Sequence, residues 1–449
     1  MRKKVCISIS DGEVSKSVLQ SDIFPLLVTK ADIVLLVHPR KVMYFMERVG
    51  DPTVNVIPIP QPISAMLEEI WTDLFLFSLH TESVRVKIEY SYRSGGSTLG
   101  KLIKIALWHL GRFRSYRVIC RAMYGFCTDS NVEKLLDTLQ PDLIFAANLT
   151  SGEDARLLRA ARKRGVRSVG MPKGWDNLTL KTFLPVFPDL LLVQTDLMKQ
   201  DALRLDCPPD AIRVVGFPKF DVYAEKVEVS REHFMARLGF DPNRPLILYA
   251  GAGDQLAPHD EEILARLIAA IYKGEFAERP QILVRPHPKY TYRTELLPSK
   301  EFWKLERPGS SGSERGDFEF DRNDIMHLRD SLAHADVLVH TASTLGIEAA
   351  VFDTPSITLA FDGDARVDPR LSVARYNTYD HMQRVLATGG MRVATSFERL
   401  IEQLHEYLTD PSRDHAQRVQ MVVENAHVID GRAGGRVAES ILAMLESDA

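Results

Sequence analysis

Short apolar runs alternate along the chain with longer stretches in which apolar positions return at helical spacing. The runs predict strands at 5–10, 33–38, 55–58, 142–147, 167–170, 189–194 and 213–215, with amphipathic helices at 154–164 and 195–205. Strands apolar on both faces, separated by helices, predict a parallel sheet covered on each side. A turn-rich hexapeptide, Gly216-Phe217-Pro218-Lys219-Phe220-Asp221, interrupts the series. A second series follows, with strands at 246–251, 281–285, 303–306, 336–339 and 355–360 and helices at 261–272 and 325–334. Further helices are expected at 396–409, 415–425 and 436–445. The pattern predicts an α/β protein of two doubly wound domains, 1–220 and 221–425, with a helical segment 426–449 after them. In such sheets a ligand sits beyond the C-terminal ends of the strands, so two halves facing each other would form a cleft.

Within the second series, residues 337–360 read strand, turn, helix, strand. The turn is His340-Thr341-Ala342-Ser343-Thr344, and it opens a short helix at 345–352. A hydroxyl-rich turn at a helix start offers free backbone N–H groups and the positive end of the dipole, a seat for phosphate oxygens. The same hydroxyls can serve only to cap the helix. Glu348 stands one turn further in, and its oxygens suit the two hydroxyls of a ribose. Two other strand ends carry candidate chemistry. Gly251 and Gly253 permit close approach of backbone to a ligand, although a plain turn explains them equally. Arg285-Pro286-His287-Pro288 holds a cation and an imidazole rigid between prolines. Arg285 suits a phosphate, and His287 can donate to a leaving-group oxygen; a structural histidine in a stiff loop is the alternative. Together the three strand ends suit a nucleoside diphosphate whose departing charge they neutralise, without need of a divalent metal. Asp362-Gly363-Asp364 has the spacing of a metal-binding D-x-D but reads as a surface turn.

Composition narrows the class. The chain has 449 residues, 45% apolar and 26% charged, with a formal charge of −4. That is ample for two large cores and gives no global attraction to nucleic acid. Cys6, Cys120, Cys127 and Cys207 are scattered without metal-ligand spacing, as expected of reduced cysteines in the cytoplasm. The apolar start at 5–9 is too short for a signal sequence, and no run is long enough to span a membrane.

The motifs V-R-P-H-P at 284–288, H-T-A-S-T-L-G-I-E-A at 340–349 and G-F-P-K-F-D at 216–221 resemble those of the GT-B superfamily of nucleotide-dependent transferases. The likeness is to the surface-carbohydrate branch: CDP-glycerol glycerophosphotransferase-like proteins, Kdo-type capsule glycosyltransferases and UDP-N-acetylglucosamine 2-epimerases. It is good over 190–362 and only general in the first 180 residues. It implies two Rossmann-like domains in the GT-B arrangement. It also implies that His287 contacts the diphosphate, that Ser343 or Thr344 binds phosphate, and that Glu348 holds ribose. Lys219 stands where the family linker usually has arginine. The resemblance further implies a last helix that crosses back to the first domain.

The first half is then expected to bind the acceptor and supply a base. Asp11 and Glu13, after the first strand, are candidates, although Asp11 or Ser10 can equally cap the next helix. Trp175 can stack on a sugar ring, with Asp176 and Asn177 beside it for hydroxyls and Asp176 as a further base. His38 ends another strand and is a third base or acceptor candidate. Residues 85–121 hold nine Lys/Arg against Glu89 alone, a local sum of +8, interleaved with leucines, isoleucines and Trp108. Such a stretch suits an interfacial helix on anionic lipid, and a solvated basic helix is the plainer reading.

The expected function is transfer of a sugar from a nucleotide-activated donor (UDP-, CDP- or CMP-linked), a co-substrate rather than a resident cofactor. The expected acceptor is a hydroxyl of a surface glycan or lipid-linked oligosaccharide, met in the cytoplasm or at the inner face of the cell membrane. The rivals are transfer of a polyol phosphate from a CDP-glycerol-like donor, 2-epimerisation of a UDP-sugar without an acceptor, and a non-catalytic scaffold or glycan-binding protein.

Overall fold

The computed structural model describes residues 2–447 except 289, 299–300 and 312–317, so part of the polar loop expected at 308–321 lies outside the described residues. The chain forms two compact units, one of Met1–Asp221 with Asp430–Ala449 and one of Val222–Ile429.

The first unit is built on seven parallel strands: β1 (Lys4–Ile9), β2 (Asp32–Val37), β3 (Asn55–Pro58), β4 (Leu143–Ala146), β5 (Arg167–Gly170), β6 (Leu190–Val193) and β7 (Ile212–Val214). Their order across the sheet is β3-β2-β1-β4-β5-β6-β7. Alternate side chains of a strand leave opposite faces, and both faces here are covered. Val5, Ile7 and Ile9 pack with Val14 and Val18 of α1 (Gly12–Leu19), with Ile23 and Leu27 of α2 (Ile23–Lys30), and with Val437, Ala438 and Ile441 of the final helix Ala433–Glu446. Cys6, Val34 and Ile144 face the other way, onto Val132, Leu136 and Leu157. The final helix is tied in by a carboxylate of the linker hexapeptide. Asp221 accepts from the first-turn N–H groups of Ala433 at 2.9 Å and Gly434 at 2.7 Å, donors no intrahelical carbonyl can satisfy. Burial pushes the Asp221 carboxyl up, and those two N–H groups and Arg436 oppose the rise.

Between β3 and β4 the chain departs from simple alternation. It runs through α3 (Val42–Val49) before β3, then α4 (Ala65–Phe77), α5 (Glu82–Arg93), α6 (Thr98–Leu110), α7 (Arg114–Phe126) and α8 (Ser130–Leu139). The helix that follows β4 is α9 (Gly152–Arg164), capped by the Ser151 hydroxyl at its start and ended by Gly165 at φ 65°. The basic stretch 85–121 thus forms parts of α5 and α7 and all of α6 rather than one helix. Much of its charge is paired. Arg93 and Lys101 pair with Glu89, and Arg85 with Glu82 just outside the window. Arg114, Arg117 and Arg121 all approach Asp206, an acid 85 residues or more away in sequence.

The second unit holds a six-stranded parallel sheet: β8 (Leu246–Ala250), β9 (Gln281–Val284), β10 (Trp303–Leu305), β13 (Val337–His340), β14 (Ser356–Leu359) and β15 (Arg392–Ala394), in the order β10-β9-β8-β13-β14-β15. Two short segments, β11 (Ser310–Ser311) and β12 (Phe318–Glu319), pair separately. The helices Asp260–Tyr272 and Phe397–Thr409 cover one face, packing Leu264, Leu267, Ile268, Leu400 and Leu404 on Tyr249, Val339 and Ile357. In each sheet the winding direction reverses once, between β1 and β4 and between β8 and β13. The crevice at such a reversal is where doubly wound sheets take ligands.

Candidate active site

In the second unit the three expected strand ends belong to neighbours, since β8 lies between β9 and β13. The His287 backbone N–H donates to the Gly251 carbonyl at 2.8 Å, joining the β8 and β9 loops directly. The two glycines have intramolecular reasons to be glycines. A Cβ at Gly251 would lie 2.4 Å from the Tyr292 ring and 2.7 Å from an Asp260 oxygen. Gly253 has φ 79°, and its Cβ would meet that of Tyr290 at 2.6 Å. Asp260, not singled out by sequence, holds this loop. It accepts from the Ala252 N–H at 3.1 Å and the Tyr249 hydroxyl at 2.9 Å, and burial pushes it up to about 7. Arg285 is buried, with the Glu306 carboxylate 3.6 Å from its Nη1. Burial pulls its pKa down, and Glu306 opposes the fall.

The turn after β13 is more occupied than expected. The N–H of Ala342 donates to Thr358 Oγ1 at 3.0 Å, that of Ser343 to His340 Nδ1 at 3.1 Å, and that of Leu345 to Ser343 Oγ at 3.2 Å. These donors are therefore not free, because the polar side chains packed around the turn reach them first. Ala342 takes φ 41°, unusual for a residue with a Cβ. His340 is fully buried and pushed down to about 3 by desolvation, so it is neutral and serves as an acceptor. The Glu348 carboxylate is buried in a prepared setting. Thr344 Oγ1 donates to Oε1 at 3.2 Å, and the hydroxyl of Tyr223 donates to Oε2. Tyr223 carries no motif and lies 125 residues from Glu348, so no local pattern reveals it. Asp362 of the D-x-D triplet accepts from the Ser372 hydroxyl and the Val373 N–H, while Asp364 pairs with Arg266. Among the described residues no cluster of three or more His, Cys, Asp or Glu side chains forms a metal-binding group.

In the first unit the loops after β1, β4 and β5 are linked by polar side chains. Asp11 caps α1, accepting from the N–H groups of Glu13 and Val14 at 3.1 Å, and its other oxygen meets Lys173 Nζ at 2.5 Å. The capping reading is the one observed, with Lys173 held by the same carboxylate. Glu13 has Lys219 at 3.7 Å. His38 uses Nδ1 to accept from the Arg40 N–H at 3.3 Å. Trp175 and Asp176 are half-buried. Asn177 is a correction. Expected to bind hydroxyls, it is 1% exposed and spends its amide on the turn, accepting from the Gly174 N–H at 3.0 Å and donating to Asp176 at 3.1 Å.

Three groups at the β1/β4 reversal escaped the sequence reading. Asn148 donates to Ser10 Oγ at 3.0 Å across it. Asp154 is wholly buried, held by Ser8 Oγ at 2.5 Å and the Asn148 N–H at 2.7 Å, and raised by desolvation to about 7. Glu153 is likewise raised, by burial first, with His38 and Arg156 pulling it back and Asp11 adding to the rise. The only signal for these acids was the start of an amphipathic helix, where acids are expected for dipole reasons alone.

No curated protein matches the chain. Among solved structures, a putative UDP-N-acetylglucosamine 2-epimerase from Listeria monocytogenes superposes with a TM-score of 0.56 at 13% identity, covering 100% of this chain and 98% of that one. The UDP-GlcNAc 2-epimerase from Neisseria meningitidis bound to UDP-GlcNAc gives 0.54 at 13%, over 98% and 100%. A glycosyltransferase from Rickettsia africae gives 0.50 at 10%, over 98% and 99%. At such identities the likeness speaks for the fold, which is the two-domain α/β fold of GT-B enzymes. The family model of CDP-Glycerol:Poly(glycerophosphate) glycerophosphotransferase matches residues 204–443. That span exceeds half of the sequence, and the chain belongs to this glycerophosphotransferase family.

Proposed function

We propose that the protein transfers a phosphate-linked group from a cytidine-diphosphate-activated polyol to an acceptor hydroxyl. The observation that carries this reading is the family match over 204–443, which contains all three strand ends of the second unit. The first expectation, a sugar donor, becomes the second reading, supported by the UDP-GlcNAc complex of a structural neighbour.

Each Glu348 oxygen has a second lone pair, so ribose hydroxyls can donate to it while Tyr223 and Thr344 hold the carboxylate in place. Arg285, His287, Ser343 and Thr344 would meet the diphosphate, and Gly251 and Gly253 shape the adjoining loop. Charge developing on the leaving phosphate is stabilised most by cations already fixed and partly desolvated, as Arg285 is. In polyol-phosphate transfer the acceptor oxygen bonds to the β-phosphorus and the bond from that phosphorus to the bridging oxygen breaks. The leaving group is CMP, and the acceptor proton passes to a base. In sugar transfer the acceptor oxygen bonds to the anomeric carbon, the bond from that carbon to the phosphate oxygen breaks, the nucleotide leaves intact, and the acceptor proton again passes to a base. Glu153 is the base candidate best suited by environment, since burial raises its affinity for a proton; Asp176 and Glu13 are the others, with Trp175 and His38 toward the acceptor. A glycan or lipid-linked acceptor is part of the proposal. So is contact of α6 with anionic lipid: Leu99, Leu102 and Ile103 are more than half exposed beside Lys101 and Lys104.

The test is incubation with CDP-glycerol, CDP-ribitol and UDP-GlcNAc, reading thermal shift and the nucleotide released. CMP from a CDP-polyol is expected. UDP release with acceptor would favour the sugar reading, isomerised UDP-GlcNAc without acceptor an epimerase, and no thermal shift with any nucleotide a scaffold. Glu348→Ala and His287→Ala should each weaken nucleotide binding about 10-fold to 100-fold, the worth of a charge-assisted hydrogen bond, with the fold retained, although Glu348→Ala should melt lower because it leaves the Tyr223 hydroxyl without its acceptor. Wild-type affinity in both would remove the site.

A further inference from the structure

We infer that the first unit carries a second binding site, for an anionic amphiphile with a phosphate head and an aliphatic chain, in a cavity between α7, the end of α9 and the segment 185–187. The cavity has a volume of about 610 Å3, within the usual range for small-molecule sites. It opens at the rim where the strands begin. Arg159, Arg162 and Lys163 stand in the last turns of α9, which runs back from the end of β4, and Pro185–Phe187 precedes β6. The β1/β4 reversal is at the other rim, so this cavity is not part of the site described above and the inference does not rest on the transferase reading.

Three observations give the ligand its chemistry. The first is charge. Arg114, Arg121, Arg159, Arg162 and Lys163 line the cavity with one acid, Asp206, while Lys163 also donates to the Cys127 carbonyl at 2.6 Å and has Glu133 at 3.6 Å. Asp206 is already held by Arg117 at 2.7 Å and Arg121 at 3.0 Å. Arg162 has no ion pair among the described residues. The second is a desolvated cation. Arg159 is 3% exposed. Its guanidinium lies over the Tyr124 ring at 4.2 Å, and Nη2 reaches Glu68 at 3.4 Å. Its Nη1 is buried with no hydrogen-bond acceptor. Cations at a helix C-terminus explain Arg162 and Lys163 but not the burial of this guanidinium. An anion in the cavity lies beside a guanidinium already largely out of water, where their attraction is stronger than in solvent.

The third observation is the apolar wall. Val118, Ala122, Phe126 and Phe187 line the same space, and Val118 and Phe126 are 50% and 84% exposed. Inorganic phosphate would leave these surfaces in water. An aliphatic chain attached to the phosphate covers them, with a gain proportional to the area removed from solvent.

The probe is decyl phosphate, titrated calorimetrically into the full chain below its micelle-forming concentration. One site is expected, with decanol and inorganic phosphate each binding at least 10-fold more weakly. An ideal Cβ on Gly125, which lines the cavity, has no heavy atom within 4 Å. Gly125→Trp should therefore fill the opening without strain, abolish decyl phosphate binding and leave both the melting temperature and the nucleotide-induced shift as in the wild type. Arg159→Gln should weaken binding at least 10-fold. Equal affinity for inorganic phosphate, or affinity that survives Gly125→Trp, would overturn the inference.

Discussion

Asp154 shows how much a single buried acid can govern. It is sealed behind β1 and α9 with Ser8 and Asn148 as partners, and its folded pKa rises from 3.8 to about 7. The folded state therefore holds the proton more tightly than the unfolded chain. The stability this group contributes is complete below about pH 4 and is lost as pH rises through 7. Asp154→Asn cannot titrate. Its melting temperature should lie furthest below the wild type at and below about pH 4, and between pH 5 and pH 8 the gap should narrow by the equivalent of roughly 2–4 kcal/mol. Parallel curves for the two proteins would show that Asp154 does not titrate in this window. At this scale the sequence was a partial guide. Glu348, His287 and Arg285 stood out because each follows a strand end and carries chemistry that position can use. Tyr223, Asp260 and Asp154 did not. Their significance comes from partners brought near only by folding, and nothing in their immediate neighbours distinguishes a buried acid from a solvated one.

The element that concentrates most constraint is the turn between β13 and the helix Leu345–Val351. Gly346 sits in that helix where a Cβ would fall 2.2 Å from Met391 Cε and 2.7 Å from His340 Nε2. The methionine end can move. The imidazole cannot move so easily, being buried and bonded through Nδ1 to the Ser343 N–H. Gly346→Ala gains helix propensity of about 1 kcal/mol, but overpacking should outweigh it, for a net loss of roughly 1–2 kcal/mol. Chemical denaturation measures the loss, and a variant as stable as the wild type would show that His340 yields. Elements of this kind were readable to within a residue or two, because a run of buried residues flanked by turn formers has few other interpretations. The shorter ones were not. β15 is three residues long with only Ala394 buried, and the helices Arg231–Leu238 and Asp380–Ala387 carry no apolar period long enough to stand out. In the segment 85–121 the division into three helices was not legible, and Glu82 and Asp206, which offset two of its eight net charges, lie outside any local window.

For the whole molecule, the decisive feature is that the first unit is made from two pieces of chain, with the other unit inserted between Asp221 and Asp430. Val437, Ala438 and Ile441 are fully buried against β1 and its neighbours. Burying three such side chains is worth several kcal/mol at about 1.5–3 kcal/mol for each larger one, a large part of the roughly 5–15 kcal/mol that holds a domain folded. During synthesis the amino-terminal 221 residues therefore leave the ribosome without the piece that closes their core, and wait for over 200 more before it arrives. Nascent chains arrested at residue 429 should have the later unit resistant to protease and the earlier one susceptible, with protection appearing once the last helix is translated. Resistance of both units in the arrested chain would mean the early segment is self-sufficient. A protein assembled in this order leaves an unfinished apolar surface open while the inserted unit is being made, the kind of surface that invites aggregation or a chaperone.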